Sequence, residues 1–202
     1  GNTKFKSSTN RAPRKFTKGT VGENFWIWLQ LKTIADVGIV GLPNAGKSSL
    51  LSFITSAKPK IANYKFTTLN PNLGVARYDD KEITLADIPG LIQDAHKGVG
   101  LGIKFLKHIE RCKTLLHLID VNEDNIISSY KQVRSELGKY SKELLNKNEI
   151  IVLNKIDLID QYKLDKKVRE FNIKIKKKTL LLSTLDKKSV SKIKSSIINY
   201  VS

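Results

Sequence analysis

Residues 41–48 read Gly41-Leu42-Pro43-Asn44-Ala45-Gly46-Lys47-Ser48, which fits the pattern G-x-x-x-x-G-K-[ST]. Residues 34–40 before it form a short apolar run typical of a strand, and residues 47–55 after it indicate a helix. This context predicts a phosphate-binding loop, because glycines let backbone N–H groups and the helix N-terminus point at the phosphates. Lys47 would reach the β- and γ-phosphates, and Ser48 would be a Mg²⁺ ligand. A chance glycine turn is the alternative, and the flanking strand and helix argue against it.

A second motif, Asp87-Ile88-Pro89-Gly90, ends a predicted strand at residues 83–87. The carboxylate of Asp87 stands where a Walker-B acid holds Mg²⁺, and the Gly90 N–H can meet the γ-phosphate. Taken alone, the pattern D-x-x-G is more often a plain turn. Because it follows the phosphate loop in this order, we interpret it as part of the same site.

A third motif, Asn154-Lys155-Ile156-Asp157, follows the apolar strand at residues 150–154. Guanine presents two adjacent donors, N1–H and the N2 amino group, and the carboxylate of Asp157 can accept from both. Adenine has an acceptor at N1, which would face that carboxylate without a proton. Unpaired polar groups in a closed pocket are penalised, so the motif predicts guanine and disfavours ATP.

The rest of the chain alternates strand and helix patterns, which predicts an α/β fold of the P-loop NTPase, Ras-like kind. Its mainly parallel sheet would carry helices on both faces and would bind ligands at the carboxyl ends of the strands. Residues 75–78 and 83–87 indicate a hairpin around Asp79 and Asp80. Further strands are predicted at 115–120 and 180–183, and further helices at 103–110, 125–145, 162–171 and 189–200.

The N-terminal region differs from this pattern. Residues 1–23 are polar and basic, with too little apolar surface to fold alone. Residues 25–31, FWIWLQL, predict a strand that is apolar on both faces, yet nothing upstream supplies a sheet for it. We therefore expect residues 1–33 to be a β or irregular remnant of a preceding domain, and residues 34–202 to form the nucleotide-binding domain.

The composition indicates a globular protein with a polyanionic partner. The formal net charge is +17, which makes RNA the first candidate, and a proteome-wide lysine bias that leaves a solvated basic surface is the alternative. No apolar run approaches the ~20 residues of a membrane span. The single cysteine, Cys112, and the three histidines show no metal-site spacing. The densest basic stretch contains Lys163, Lys166, Lys167, Arg169, Lys174, Lys176, Lys177 and Lys178.

These motifs and the segments between them resemble the Obg GTPases, a family linked to ribosome assembly. The resemblance covers nearly the whole chain, and its start resembles the end of the family's glycine-rich N-terminal Obg domain. The double threonine of YKFTTLNPNLG is specific to this family and its near relatives. The segments that carry the resemblance are GNTKFKSSTNRAP, WLQLKTIADVG, GLPNAGKSSLL, KPKIANYKFTTLNPNLGV, ADIPGLI, GVGLGIKFLKHIERC and NKID.

The resemblance implies further site residues. Thr68 corresponds to the switch I threonine that joins Mg²⁺ and senses the γ-phosphate, so the implied metal ligands are Ser48, Thr68 and Asp87, and the implied catalytic residues are Lys47, Thr68 and Gly90. Ser183-Thr184 stands where the family has Ser-Ala, whose backbone supports guanine. The implied nucleotide-binding residues are Gly41, Pro43, Asn44, Ala45, Gly46, Lys47, Ser48, Ser49, Phe66, Thr67, Thr68, Asp87, Gly90, Asn154, Lys155, Asp157, Ser183 and Thr184.

Two positions bear on hydrolysis. Leu91 follows the second motif, where many GTPases have a glutamine that orients the attacking water, so we expect slow intrinsic hydrolysis. Asn44 stands where relatives bind K⁺ beside the phosphates, although it can also serve only to tie the loop to switch I. Gln93 and Asp94 depart from the acid and glycine that the family has in switch II, and we expect His96 to face solvent.

The expected function is a Mg²⁺-dependent switch that binds GTP and GDP, hydrolyses GTP slowly and acts in assembly of the large ribosomal subunit. The resemblance implies the large subunit or its rRNA as partner, and we expect a monomer in the bacterial cytoplasm, with an organellar matrix as the alternative. A non-catalytic ribosome-binding scaffold that retains a nucleotide site is the alternative function. A P-loop ATPase or kinase is a third, against which the N-K-I-D motif argues.

Overall fold

The computed structural model describes residues 1–28, 35–55, 60–61, 72–87 and 112–201. Contacts within the chain divide it into two compact units, Gly1–Leu31 and Lys32–Ser202. The larger unit contains the sheet and all three motif regions predicted above. The helix predicted at residues 103–110 lies outside the described residues.

In the described part of the larger unit, seven strands form one sheet of order β2-β3-β4-β1-β5-β6-β7. The central pairs β1–β4, β1–β5, β5–β6 and β6–β7 are parallel, whereas β2–β3 and the hairpin β3–β4 are antiparallel. The predicted mainly parallel sheet and its hairpin are therefore confirmed. The strands are β1 (Ala35–Val40), β2 (Lys60–Ile61), β3 (Asn72–Tyr78), β4 (Lys81–Asp87), β5 (Cys112–Asp120), β6 (Asn148–Asn154) and β7 (Thr179–Leu182).

Among the described residues, five α-helices accompany the sheet. Side-chain caps begin three of them: Asn125, Ser141 and Asp160 each accept a hydrogen bond from a backbone N–H in the first helical turn. Short 3₁₀ helices lie at Thr3–Phe5 and Ile156–Leu158. The helices are α1 (Lys47–Ile54), α2 (Ile126–Tyr140), α3 (Lys142–Asn146), α4 (Gln161–Ile175) and α5 (Lys187–Val201).

The helices cover both faces of the sheet, as predicted. On one face, buried Leu51 of α1 and Ile197 of α5 belong to the same core cluster as Ile39 and Leu116 of the central strands. The opposite face packs α2, α3 and α4 through two further clusters, one of which contains Phe171. Strands that are covered on both faces have continuous apolar sequences. This explains why the alternation of apolar and polar residues is weak in β1, β5 and β6.

The single helix predicted over residues 125–145 is wrong. The chain leaves the helical conformation at Ser141, where φ is −152° and ψ is 131°, and α2 and α3 are separate helices. Ser141 ends α2 and caps α3 through its side chain. A Cβ on Gly138 would lie 2.8 Å from the side chain of Leu145, so the glycine allows α3 to fold back closely against α2. The helical spacing of apolar residues alone does not reveal this turn.

The strand predicted at residues 25–31 is wrong for residues 25–28, which the structure describes without strand pairing. Trp26 and Trp28 are fully exposed there. The described part of Gly1–Leu31 provides no neighbouring strand with which residues 25–28 could pair. Residues 29–31 lie outside the described part. Within the described ranges, no helix combines the length and apolar character needed to cross a bilayer.

Candidate nucleotide site

The loop between β1 and α1 lies against the carboxyl end of β5. Gly41 and Gly46 have φ values of +155° and +95°, and Asn44 adopts the left-handed conformation with φ of +61°. A Cβ on Gly41 would collide with the carbonyl oxygen of Leu118, and one on Gly46 would collide with the side-chain amide of Asn154. The two glycines are therefore required by backbone conformation and by close packing against neighbouring strands.

Lys47, the first residue of α1, turns its ammonium group back over this loop. Its Nζ donates hydrogen bonds to the carbonyl oxygens of Gly41 at 3.1 Å and Leu42 at 2.8 Å. Burial lowers the pKa of Lys47, and the nearby carboxylate of Asp87 partly opposes this shift. A partly desolvated ammonium held at a glycine loop is suited to a ligand that brings negative charge.

Ser48 and Asp87 meet beside the loop. The Ser48 Oγ donates a hydrogen bond of 2.5 Å to Oδ2 of Asp87, which β4 brings alongside Ile39 of β1. Asp87 is only 1% exposed, and its Oδ1 has no hydrogen-bond partner among the residues that the structure describes. A buried carboxylate oxygen without a donor is costly, and a cation satisfies it well. A hydroxyl oxygen stands next to it, so both oxygens are of the type that Mg²⁺ prefers.

The third motif closes the same edge of the sheet. Asn154, the last residue of β6, is buried and donates a hydrogen bond of 2.8 Å from Nδ2 to the carbonyl oxygen of Ala45. Lys155 follows in the left-handed conformation with φ of +63°. Farther along, Oδ1 of Asp157 accepts a hydrogen bond of 2.5 Å from the hydroxyl of Ser183. The motif is thus joined to the phosphate loop on one side and to the end of β7 on the other.

Two contributors were not found from the sequence. Asp120, at the end of β5, accepts a hydrogen bond of 2.6 Å from Lys155 Nζ and fixes that side chain. Ser189 accepts through its hydroxyl from the backbone N–H of Ser183 at 3.0 Å. Asp120 lies opposite Asn154 in the sheet. Its position at the carboxyl end of a predicted parallel strand could have indicated that it belongs to the site. The contact of Ser189 with Ser183 depends on the turn between β7 and α5, which the sequence pattern did not indicate.

The described candidate residues all lie at the carboxyl edge of the sheet, although their roles toward a ligand remain predictions. Thr184 is partly exposed directly after Ser183. Among the described residues, no group of three or more His, Cys, Asp or Glu side chains could hold a metal. The candidates that lie outside the described residues are Phe66, Thr67, Thr68 and Gly90, together with the switch residues Leu91, Gln93, Asp94 and His96.

His117 does not belong to this site. Its side chain is buried in β5, where Nδ1 lies 3.0 Å from Oε1 of Glu149 and the ring stacks on Tyr130 with centroids 5.0 Å apart. Lys177 donates to the other oxygen of the same carboxylate at 2.7 Å. The network joins β5, β6, α2 and the chain after α4, so His117 has a structural role.

Comparison with known proteins identifies relatives of the whole chain. The family model described as "50S ribosome-binding GTPase" matches residues 36–155, more than half of the sequence. The GTPase Obg of Pelagibacter ubique is 68% identical over 202 residues, which are 100% of this chain and 62% of that protein. The GTPases Obg of Ehrlichia chaffeensis and Rickettsia massiliae are 55% and 54% identical, covering 100% and 96% of this chain and 58% of each relative. The chain therefore spans about three fifths of the length of the curated relatives it matches.

Solved structures share the fold at lower sequence identity. Era from Aquifex aeolicus, bound to GDP and AlF₄⁻, superposes with a TM-score of 0.62 at 24% identity, covering 83% of this chain and 57% of Era. The G domain of the T. maritima FeoB iron transporter superposes with a TM-score of 0.54 at 22% identity, covering 82% of this chain and 98% of that domain. The architecture around the site is thus that of a P-loop GTPase.

Proposed function

The chain belongs to the 50S ribosome-binding GTPase family and, within it, to the Obg GTPases, and from this premise we propose that it binds guanine nucleotides with Mg²⁺ and hydrolyses GTP. The observation that carries the proposal is the bond of 2.8 Å between Asn154 Nδ2 and the carbonyl oxygen of Ala45. It joins the predicted base-recognition motif to the predicted phosphate loop, so one ligand can contact both. A nucleotide carries a base and phosphates in one molecule and can therefore engage both segments.

Guanine selectivity is proposed for Asp157. Its carboxylate lies at the carboxyl edge of the sheet and is held by the Ser183 hydroxyl. This hydrogen bond orients the carboxylate, whose oxygens can accept from the two adjacent donors of guanine. Ser183 and Thr184 are proposed to complete the base pocket through the backbone. ATP would place an acceptor against the carboxylate and is expected to bind much more weakly.

The Ser48 hydroxyl and the buried carboxylate of Asp87 fit a Mg²⁺ ion. The unpartnered Oδ1 of Asp87 supports this assignment, because it is an acceptor that no described residue satisfies. Ser48 and Asp87 would hold the ion, with Thr68 proposed as a further ligand. Bound Mg²⁺ would supply positive charge to the β- and γ-phosphate oxygens. Lys47 would contribute a second positive charge from the loop, and Asn44 is proposed to add K⁺ at the same phosphates.

Hydrolysis is proposed to be slow and to depend on positioning by Lys47, Thr68 and the Gly90 N–H. Leu91, which follows the second motif, has no polar group with which to orient a water molecule. Turnover by the isolated chain that matches an activated GTPase would contradict this. The proposed K⁺ role predicts faster hydrolysis in K⁺ than in Na⁺ at equal ionic strength, and equal rates would remove it.

The proposed partner is the large ribosomal subunit, acting through its rRNA in subunit assembly, and the proposed location is the bacterial cytoplasm. The family description and the net charge of +17 support this partner. The same charge favours a second candidate, a ribosome-binding scaffold that retains the nucleotide site without turnover. Residues 1–33 are proposed to be the end of a glycine-rich Obg-type domain and residues 34–202 the GTP-binding domain, acting as a monomer.

The deciding experiment is displacement of a fluorescent guanine nucleotide by GTP, GDP and ATP in Mg²⁺ buffer. We expect GTP and GDP to compete and ATP not to, and Asp157→Ala to weaken guanine binding by about 10²-fold. Asp165→Ala, an exposed carboxylate on α4, is the matched control and should leave binding unchanged. Equal competition by ATP would overturn the guanine assignment. If the protein binds guanine nucleotides but shows no GTP hydrolysis in a single-turnover assay, the scaffold function is favoured over the switch.

A further inference from the structure

Helix α4 carries a stripe of exposed residues that faces directly away from the sheet. Tyr162, Lys166, Arg169 and Ile173 follow each other at spacings of four, three and four, which places them on one side of a helix. All four are exposed, Tyr162 to 81% and Ile173 to 74%. The opposite side of the helix is buried through Leu164 and Phe171. This stripe, called here the α4 stripe, is free of the core.

Four of the five basic residues of α4 fall into two groups. Lys163 pairs with Asp160 at 3.4 Å, and Lys167 donates to two backbone carbonyl oxygens after β5. These lysines serve the fold. Lys166 and Arg169 of the α4 stripe have no ion-pair partner within the described part of the chain. Their charges therefore lie free beside the exposed ring of Tyr162, and this combination of cations and an aromatic ring is what single-stranded nucleic acid binds.

A groove of about 340 Å³ runs beside the stripe. It lies between α4 and the start of α2, and its lining includes Lys166, Lys167 and Lys174 together with the carboxylates of Asp124 and Glu170. Its volume lies in the range of small-ligand pockets, about 300–1,000 Å³. A flexible strand whose backbone follows the stripe could therefore place one nucleotide in the groove.

We propose that the α4 stripe is a binding surface for unpaired RNA, with Lys166 and Arg169 on phosphates and Tyr162 stacked on a base. The inference rests on the proposed ribosomal partner and names the surface and the kind of RNA. Arginine forms paired hydrogen bonds to a phosphate, and tyrosine stacks on bases only where they are unstacked from a helix. Duplex RNA offers phosphates but no free base face, so the stripe selects loops and bulges.

The base-recognition motif lies directly before this helix in the chain. After Asp157 and the 3₁₀ turn Ile156–Leu158, the cap residue Asp160 begins α4. Lys167 binds the carbonyl oxygen of Val121, whose N–H in turn donates to Asn154 at 3.0 Å. The RNA surface is thus attached to the edge of the sheet that holds the predicted nucleotide, without sharing a side chain with it. Variants of the stripe therefore leave the candidate nucleotide residues intact.

The test uses a fluorescent RNA hairpin with an unpaired loop and a fully paired RNA of the same length. Tyr162→Ala should weaken binding to the looped RNA by about tenfold and leave binding to the paired RNA nearly unchanged. Lys166→Glu with Arg169→Glu should lower the slope of log affinity against log salt by about 1.4, the expectation for two phosphate contacts on a single strand. The matched control is Lys188→Glu with Lys192→Glu, an equal charge change on α5 across the sheet.

Equal losses in the stripe and control variants would overturn the proposal in favour of diffuse charge attraction. A stripe variant that loses ribosome co-sedimentation but binds both RNAs normally would also overturn it, because the partner would then be a ribosomal protein. Binding of fluorescent GDP is measured on the same proteins. If the stripe variants bind GDP and also bind RNA as well as the wild type does, the proposed RNA surface is wrong and the proposed nucleotide function is unaffected. If the wild-type protein does not bind GDP, only the proposed nucleotide function is contradicted.

Discussion

Asn154 at the end of β6 donates a hydrogen bond to the carbonyl oxygen of Ala45, although the two residues are 109 positions apart in the chain. The bond is buried, and a Cβ on Gly46 would displace the amide that makes it. The predicted base-recognition and phosphate-binding segments are thereby fixed relative to each other by the protein itself. Preorganisation of this kind lowers the ordering cost of binding.

Replacing Asn154 with alanine is expected to weaken GTP and GDP binding together, because it removes the link between the two halves of the site. It also leaves the buried carbonyl of Ala45 unpaired, at about 1–3 kcal/mol. Nucleotide titration and urea unfolding would measure the two effects. Asn172→Ala, which removes a contact of 3.2 Å with Thr179, is the control and should leave nucleotide affinity unchanged. An Asn154→Ala protein with wild-type affinity would show that the link is dispensable.

Substitution of Gly46 by alanine tests the close approach at the same point. The residue has φ of +95°, and its Cβ would meet the amide of Asn154. Strained backbone alone costs about 1–3 kcal/mol, and displacement of Asn154 should add a loss of nucleotide affinity. Gly22→Ala is the matched control, since nothing lies within 4 Å of its Cβ position. The melting temperature and the GDP affinity of both variants would be measured. Equal values for Gly46→Ala and Gly22→Ala would contradict the packing argument.

The glycine loop and the alternation of strands with helices were predictable because their signals lie in short stretches of sequence. Gly41 and Gly46 lie in a short pattern, and the strand before them and helix after them follow from apolar spacing. Asp157 was predicted from its motif and Ser183 was implied by the family resemblance, whereas the hydrogen bond between them was not predicted. The carboxyl ends of neighbouring parallel strands lie at one edge of the sheet, which is why the two residues come together. The roles of these residues toward GTP remain predictions.

Other features depend on pairings between distant segments, which the sequence does not display. Glu149 was not singled out, yet its buried carboxylate receives hydrogen bonds from Tyr130 and Lys177 and lies beside His117. The break at Ser141 is set by the packing of α3 on α2 rather than by helix propensity. The strand predicted from FWIWLQL failed at residues 25–28 for a related reason, since an apolar run becomes a strand only beside a partner.

The Glu149 network makes a prediction about acid stability. Burial lowers the pKa of His117 below its ordinary value, although the hydrogen bond to Glu149 works against this. Its Nε2 is buried without a partner among the described residues, so protonation would bury an unpaired N–H. Unfolding then takes up a proton below pH 6.5, and the free energy of unfolding falls as the pH drops from there. The slope approaches about 1.4 kcal/mol per pH unit for one proton.

His117→Asn isolates this contribution, because an asparagine amide can donate to Glu149 but does not titrate. We expect urea unfolding of the variant to lose the dependence between pH 6.5 and 5 that the wild type shows. A second loss should remain in both proteins between about pH 4.5 and 2. Burial raises the pKa of Glu149, but hydrogen bonds from His117 and Lys177 outweigh this and hold the pKa at about 2. Parallel profiles above pH 5 would mean that His117 does not titrate on unfolding.

The buried carboxylate of Asp87 predicts how the protein responds to Mg²⁺ and its removal. With GDP present and Mg²⁺ at about 100 times its Kd, the ion should add about 2.7 kcal/mol to stability, and chelation should remove it. Asp87→Asn replaces the unpartnered anionic oxygen by a neutral group, so its melting temperature should hardly respond to Mg²⁺. Asp36→Asn is the control, because that carboxylate is already satisfied by Thr84 and Lys113. It should lower the melting temperature equally with and without the ion. A full Mg²⁺ response in Asp87→Asn would place the ion elsewhere and leave the orphaned oxygen without an explanation.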